Sequence, residues 1–241
     1  MSRIYLFKNY ISNRFKDRTD FSEKKLKLEF NSYDRNYQEY LPKNKNANIL
    51  EIGFGTGYYL KYLLAKGYKD IYGIELSDGE TEFVKNKIFN KVECVESTEV
   101  FLNQHQSKYD FIYMSQVLEH IPKENTINLL NKIKKSLKNE GTLIINTPNI
   151  KNPFNIYVLG ADFTHEFIFS PESLSQVCKV ADFSNIKIFP FREENISWHG
   201  KITNIISPIM YFLIKIFTGL NRCYLSPSNI YSANIYCICK K

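Results

Sequence analysis

The chain predicts an α/β fold, a doubly wound parallel sheet with helices on both faces, and three observations carry that expectation. From residue 47 onward, short apolar runs alternate with amphipathic stretches. The runs are nearly continuous in large apolar residues, as strands covered on both faces are. The first of them ends in Gly53, Gly55 and Gly57, a tight strand-to-helix turn that only glycine-rich backbone makes easily. Regular βα alternation of this kind closes through right-handed crossovers.

Taken in order, residues 1–46 read as an N-terminal helical cover. Leu26, Phe30, Tyr33, Tyr37 and Tyr40 recur at helix-like spacing, and Pro42 with the polar cluster 43–46 breaks the pattern. Strands are expected at 48–52, 71–75, 91–95, 109–114 and 141–146, with helices at 57–66, 79–89, 98–105 and 123–138 between them. After Pro148 a loop over 149–169 leads to Ser170-Pro171-Glu172-Ser173, where a capping serine, a proline in the first turn and an acid start a helix. A sixth strand is expected at 185–191 and a seventh at 233–239, joined by a helical insertion at 192–231.

At 241 residues the chain suffices for one substantial core. Its net charge of +7 is spread over scattered lysines without a basic run, which disfavours nucleic acid as a partner. Five cysteines, odd in number and without CxxC spacing, fit a reducing compartment. Cys237 and Cys239 alternate within a strand and so share one face, a packing arrangement. No signal-peptide pattern opens the chain, and a cytoplasmic protein is expected. The apolar segment 202–220 is interrupted by Asn204, Pro208 and Lys215, which suits a core or interfacial helix that contacts a membrane surface or a second subunit.

Open α/β sheets bind ligands beyond the carboxyl ends of their strands. The first strand end offers Gly53, Gly55 and Gly57, the second Glu75, the third Ser97 and Thr98, and the fourth Ser115 and Gln116. Glu75 follows Gly55 by 20 residues, the separation at which a carboxylate meets a ribose diol in nucleoside-binding folds. A dinucleotide fingerprint would need glycine where Tyr58 stands, and no G-x-x-x-x-G-K-[ST] loop occurs. Glu51, just before the turn, would repel a pyrophosphate. A ligand with a ribose and a positive charge fits better.

The stretch Leu50-Glu51-Ile52-Gly53-Phe54-Gly55-Thr56-Gly57 resembles the [DE]-x-G-x-G-x-G motif of class I S-adenosylmethionine-dependent methyltransferases. Residues 71–75, 109–121 and 138–145 resemble that family's second-, fourth- and fifth-strand motifs, including a Leu118-Glu119-His120 continuation. The resemblance covers about 50–148. It implies a Rossmann-like seven-stranded sheet, parallel except for the last strand, with S-adenosylmethionine as cofactor and S-adenosylhomocysteine as product. It places the methionyl part on Glu51 and the backbone at Gly53, Gly55 and Gly57, the ribose on Glu75 and the adenine on Leu76. Ser97 and Thr98 stand where relatives usually carry an aspartate for the adenine amino group, so adenine selection here rests on Ser97, backbone and packing. Ser115 and Gln116 line the far side of that pocket.

Methyl transfer chiefly requires alignment, and a hydroxyl acceptor also gains from a base near neutral pH, the role histidine suits. His105 reads as structural, whereas His120 lies in the motif near the site. Asp162-Phe163-Thr164-His165 with Phe169-Ser170-Pro171-Glu172-Ser173-Leu174 resembles a stretch of methyltransferases from bacterial surface-polysaccharide clusters. It makes His165 the general base or acceptor-positioning residue and a carbohydrate or phosphorylated small molecule the acceptor. Arg192 and His199, with Lys201 beside them, are candidates for meeting a phosphate or carboxylate. No set of His, Cys or acidic residues has metal-ligand spacing along the chain. An RNA or protein methyltransferase, or one acting on a quinone or lipid-like acceptor, is the competing reading. After the fourth strand, Ser115-Gln116-Val117-Leu118 lacks the Asn-Pro-Pro-Tyr-like signature of base amino-group methylation. The complete Glu51, glycine and Glu75 set disfavours a non-catalytic binder.

Overall fold

The computed structural model describes residues 20–194, 209, 211–213, 216 and 228–241. Seven strands, β1 (Ile49–Ile52), β2 (Ile71–Glu75), β3 (Val92–Cys94), β4 (Tyr109–Ser115), β5 (Leu137–Pro148), β6 (Ser184–Pro190) and β7 (Asn234–Lys240), form one sheet in the order β3-β2-β1-β4-β5-β7-β6. The pairs from β3 through to β5 are parallel, and β7 runs antiparallel to both β5 and β6. Order reverses between β1 and β4, where a doubly wound sheet opens its ligand crevice.

Both faces are covered, by α1 (Glu23–Tyr37), α2 (Tyr58–Ala65), α3 (Asp78–Lys87), α4 (Thr98–Gln104), α5 (Lys123–Ser136), α6 (Asn155–Ala161) and α7 (Pro171–Val180). Period-two alternation divides the strand residues between two cores. Leu50, Ile52, Ile112, Met114, Leu143 and Ile145 pack with Phe101 and Leu102 of α4, Leu129 and Ile133 of α5 and Leu174 of α7. Ile49, Phe111, Tyr113 and Ile144 pack on the other side with Tyr37 of α1, Tyr59 and Leu63 of α2 and Val84 of α3. Tyr37 is fully buried, its ring edge-on to Tyr113 and Tyr236 at 5.4 and 5.1 Å, so α1 is part of the core. Truncating a side chain such as Leu143 in the first core would cost about 2–5 kcal/mol.

The expected elements appear with shifts of one or a few residues, and two differences have physical causes. Helix α5 stops at Ser136 and β5 begins at once, longer than expected, because a register shift opposite Tyr109 and Phe111 lets residues 137–140 turn into the sheet, with Glu140 at φ 61°. The stretch 149–169, expected as loop, contains α6. Its asparagines read as loop composition, yet Asn149, Asn152 and Asn155 are buried and saturate backbone. Asn149 Nδ2 donates to the Ile230 and Ser232 carbonyls at 3.0 Å each, Asn152 Nδ2 to that of Tyr231 at 3.0 Å, and Asn155 Nδ2 to that of Ala233. The capped start of α7 forms as its sequence predicts: Ser170 Oγ accepts from Ser173 N at 3.1 Å, Ser173 Oγ accepts from Ser170 N at 2.8 Å, and Pro171 opens the helix.

The insertion expected at 192–231 falls mostly outside the described residues. Ile209, Phe212, Leu213 and Ile216, helical in the structure, are exposed at i, i+3, i+4 and i+7. Among the described residues, no helix is long and apolar enough to cross a membrane.

Candidate functional site

The β1–α2 turn is built on left-handed backbone. Gly53, Gly55 and Gly57 have φ of 70°, 53° and 82°, values that cost an ordinary residue about 1–2 kcal/mol each. A Cβ on Gly53 would lie 2.3 Å from Val117 Cγ2, so the loop after β4 presses directly on the turn. Gly57 caps α2 with backbone alone, without a side-chain hydrogen bond. Amide groups at such a turn can come within reach of a ligand.

Glu75, at the end of β2, is tied to this turn. Its Oε2 accepts from Gly55 N at 3.0 Å and its Oε1 from Leu76 N at 2.7 Å. A carboxylate has about four lone-pair positions, so capacity for a hydroxyl remains. Burial raises its pKa, and backbone bonds from Gly55, Leu76 and Ser77 oppose the rise.

Glu51 is 4% exposed, and its Oε2 has no hydrogen-bond partner. Burial, then the charge of Glu75, pushes its carboxyl well above the usual carboxylate range. Such an orphaned oxygen is costly unless a donor arrives. Under a cradle that tolerates no Cβ at Gly53, this donor set fits a nucleoside bearing an ammonium group.

The remaining cofactor candidates sit at the same ends of their strands. Ser97 follows β3, caps α4 by accepting from Val100 N at 3.4 Å and donates to Glu99 Oε2 at 3.0 Å, so its hydroxyl is engaged locally; Thr98 opens that helix. Ser115 ends β4. Gln116, at φ 56°, donates from Nε2 to Asn146 Oδ1 at 3.1 Å and to Asn234 Oδ1 at 3.4 Å. Asn146 Nδ2 in turn donates to Tyr37 Oη at 2.6 Å, linking the crevice floor to the N-terminal helix. The sequence motifs do not mark Asn146 and Asn234, though a polar residue closing the apolar run of β5 is a readable signal.

The two candidate histidines lie side by side. His120 ends the 3₁₀ turn Leu118–His120 after β4, and His165 follows α6; their ring centroids are 4.7 Å apart. His120 Nδ1 lies 2.9 Å from Thr164 Oγ1 and 3.3 Å from the Thr164 carbonyl. Thr164 Oγ1 donates its one proton to Asp162 Oδ1 at 2.6 Å, and a carbonyl only accepts, so in this arrangement Nδ1 carries the hydrogen and Nε2 is the acceptor nitrogen. His165 Nε2 is 3.7 Å from Asp162 Oδ2.

Glu119 lies beside the pair with 0% exposure, its Oε2 accepting from Thr147 Oγ1 at 3.2 Å and its Oε1 without a hydrogen-bond partner. Burial pushes its carboxyl up to about 8. Glu119 and Asp162 carry no individual role in the sequence reading: each adjoins its histidine along the chain, and only the fold brings the two segments together. The Glu119 carbonyl accepts from Glu166 N at 2.8 Å and Phe167 N at 3.2 Å, pinning the His165 segment over β4.

Arg192 follows β6, and Asn36 of α1 brackets its backbone with bonds of 3.0 and 2.9 Å. That places it at the outer side of the same sheet end. His199 lies outside the described residues.

Residues 26–188 match a family model described as a methyltransferase domain. Among curated proteins, the chain is 23% identical over 151 residues to a phosphoethanolamine N-methyltransferase of Plasmodium falciparum, covering 59% of this chain and 56% of that one. It is 31% identical over 102 residues to a ubiquinone biosynthesis O-methyltransferase of Glaesserella parasuis, covering 36% and 42%. The chain thus spans about half the length of these curated relatives. Among solved structures, a SAM dependent methyltransferase from Archaeoglobus fulgidus superposes with a TM-score of 0.67 at 20% identity, covering 96% of this chain and 99% of that one, a likeness of fold.

Proposed function

The chain belongs to the methyltransferase-domain family, and from that premise we propose that it moves a methyl group from S-adenosylmethionine to an oxygen of a small-molecule acceptor. The observation that carries the reading is the placement of two groups at one end of the sheet. One is the Glu51, glycine-turn and Glu75 cradle; the other is the His120 and His165 pair, 4.7 Å apart.

S-adenosylmethionine supplies an electrophilic methyl on a sulfonium that loses its charge as the methyl departs. Glu51 Oε2 would meet its ammonium, the free lone pairs of Glu75 its ribose, and Leu76, Ser97 and Thr98 its adenine. Ser115 and Gln116 close the far side of this pocket. His165, backed by Asp162, takes the proton of the acceptor hydroxyl or fixes that hydroxyl in line. His120, its Nδ1 tied to Thr164, presents Nε2 for the same purpose.

The favoured acceptor is a sugar, a nucleotide-linked sugar or a sugar-attached phosphate of capsule or lipopolysaccharide assembly. Its support is the sequence stretch from Asp162 to Leu174 and the net charge of +7, with Arg192 at the sheet end able to meet a phosphate. The Plasmodium relative's name favours a second reading, N-methylation of a phosphorylated amine. The exposed apolar row from Ile209 to Ile216 supports a contact with a membrane surface or a second copy.

The test is transfer of labelled methyl to a panel of sugar nucleotides and phosphoethanolamine. His165→Ala should lower turnover about 100-fold or more while S-adenosylhomocysteine binding is kept. Near-normal turnover removes His165 from this role. Labelling of phosphoethanolamine alone replaces the oxygen reading with the nitrogen one.

A further inference from the structure

We propose that Glu119, His120 and His165 bind one divalent transition-metal cation, which holds an acceptor oxygen beside the donor methyl. The inference rests on the reading that this end of the sheet receives the acceptor, and it gives the two imidazoles the role of ligands that position the acceptor in place of that of base. Each of the three residues offers a ligand atom, and these atoms lie within 4.8 Å of one another. Metal–ligand bonds of about 2.0–2.2 Å place neighbouring ligand atoms about 3–3.5 Å apart, so the cluster needs to contract by roughly 1 Å. The His165 side chain is 6% exposed and follows a loop, so the contraction falls on that loop's backbone rather than on a free side-chain rotation.

Two further observations point to a cation. Glu119 has no exposed surface; Thr147 holds its Oε2 and its own backbone N–H faces the carboxylate, but Oε1 makes no hydrogen bond of good geometry. A buried oxygen left in that state is expensive, and a cation satisfies it in full. The groups beside the ligands are also those that orient metal-binding residues: Thr164 holds His120 at Nδ1, Asp162 lies 3.7 Å from His165 Nε2, and Thr147 holds Glu119.

One carboxylate and two imidazoles form a mixed oxygen and nitrogen set. It suits Mn²⁺, Fe²⁺, Co²⁺ or Zn²⁺ over Mg²⁺ and Ca²⁺, which prefer oxygen throughout, and three protein ligands leave positions open for the acceptor. A bound cation also makes a coordinated hydroxyl more acidic, so its proton can leave to solvent and the imidazoles act as ligands.

Cys178, Cys237 and Cys239 form the second group whose ligand atoms fall within 4.8 Å, with all three side chains buried in the core. Thiolates favour Zn²⁺ and Cu⁺ over Mn²⁺. Mn²⁺ is therefore the probe that separates the two groups.

The experiment is titration of the chelator-treated full chain with Mn²⁺, followed by electron paramagnetic resonance, with S-adenosylhomocysteine binding measured by calorimetry on the same samples. One Mn²⁺ per chain is expected, with an excess of Mg²⁺ needed to displace it. His165→Ala and Glu119→Gln should each weaken Mn²⁺ at least about 10-fold and leave S-adenosylhomocysteine affinity unchanged, and Cys178→Ser should leave Mn²⁺ unchanged. Because Glu119 is buried, circular dichroism checks that variant's fold, and His165→Ala carries the test alone if Glu119→Gln unfolds. A folded wild-type chain that binds S-adenosylhomocysteine but no Mn²⁺ overturns the cation and leaves the methyltransferase reading standing. Undiminished Mn²⁺ binding in His165→Ala, its loss in Cys178→Ser, or displacement by equimolar Mg²⁺ overturns it equally.

Discussion

Replacing Glu75 by glutamine tests the joint between the glycine turn and the second strand. The carboxylate accepts from Gly55 N at 3.0 Å through one oxygen and from Leu76 N at 2.7 Å through the other. An amide has one oxygen, so in Glu75→Gln one of the two backbone donors must face an NH₂ group. Hydrogen bonds to a charged acceptor are each worth about 1.5–3 kcal/mol, and an unmet buried donor costs about 1–3 kcal/mol. The bonds lost to the ribose add to this on binding. S-adenosylhomocysteine affinity measured by calorimetry should fall about 10- to 100-fold, which is 1.4–2.8 kcal/mol at about 1.4 kcal/mol per decade. The apo protein should also melt lower, by about 2–4 °C per kcal/mol for a chain of this size. An affinity within about threefold of wild type, with an unchanged melting curve, would refute the role given to this carboxylate.

Gly53→Ala combines a φ of 70° with a Cβ placed 2.3 Å from Val117 Cγ2; it should cost about 2–4 kcal/mol in urea unfolding. Gly53→Ala with Val117→Ala should recover only the packing part. Glu51 titrates with a folded pKa above its unfolded one, through burial and the charge of Glu75. Its contribution to stability is therefore fully present below about 4.3, the unfolded value, and is lost as pH rises through the folded pKa. The apo melting temperature should fall across that window, and Glu51→Gln should flatten the slope while weakening S-adenosylhomocysteine binding. Calorimetry in buffers of different ionisation enthalpy should also show a proton released on binding to wild type and none with Glu51→Gln.

The parts of this site that are legible in the sequence are those fixed by short-range geometry. Strands buried on both faces leave continuous apolar runs, so each strand end, and with it Glu75, Ser97 and Ser115, can be located without coordinates. The glycine turn and its acid lie 20 residues apart, and the structure joins them through Gly55 N. The relations that cross the sheet are not legible. Val117, from the loop after β4, is what makes glycine obligatory at position 53, and nothing near residue 53 records it. The Glu119–His120 and Asp162–His165 segments meet because the Glu119 carbonyl pins the segment after α6. The asparagines at 149, 152 and 155 mimic a loop because hydrogen-bonding side chains serve exposed turns and buried backbone equally well.

The most direct test of the account is a calorimetric titration of S-adenosylhomocysteine into the folded wild-type chain. The Glu51, glycine-turn and Glu75 cradle predicts one site with micromolar affinity. A chain that folds, as judged by its circular dichroism and melting transition, yet shows no binding up to millimolar ligand would contradict the reading of the cradle as a cofactor site.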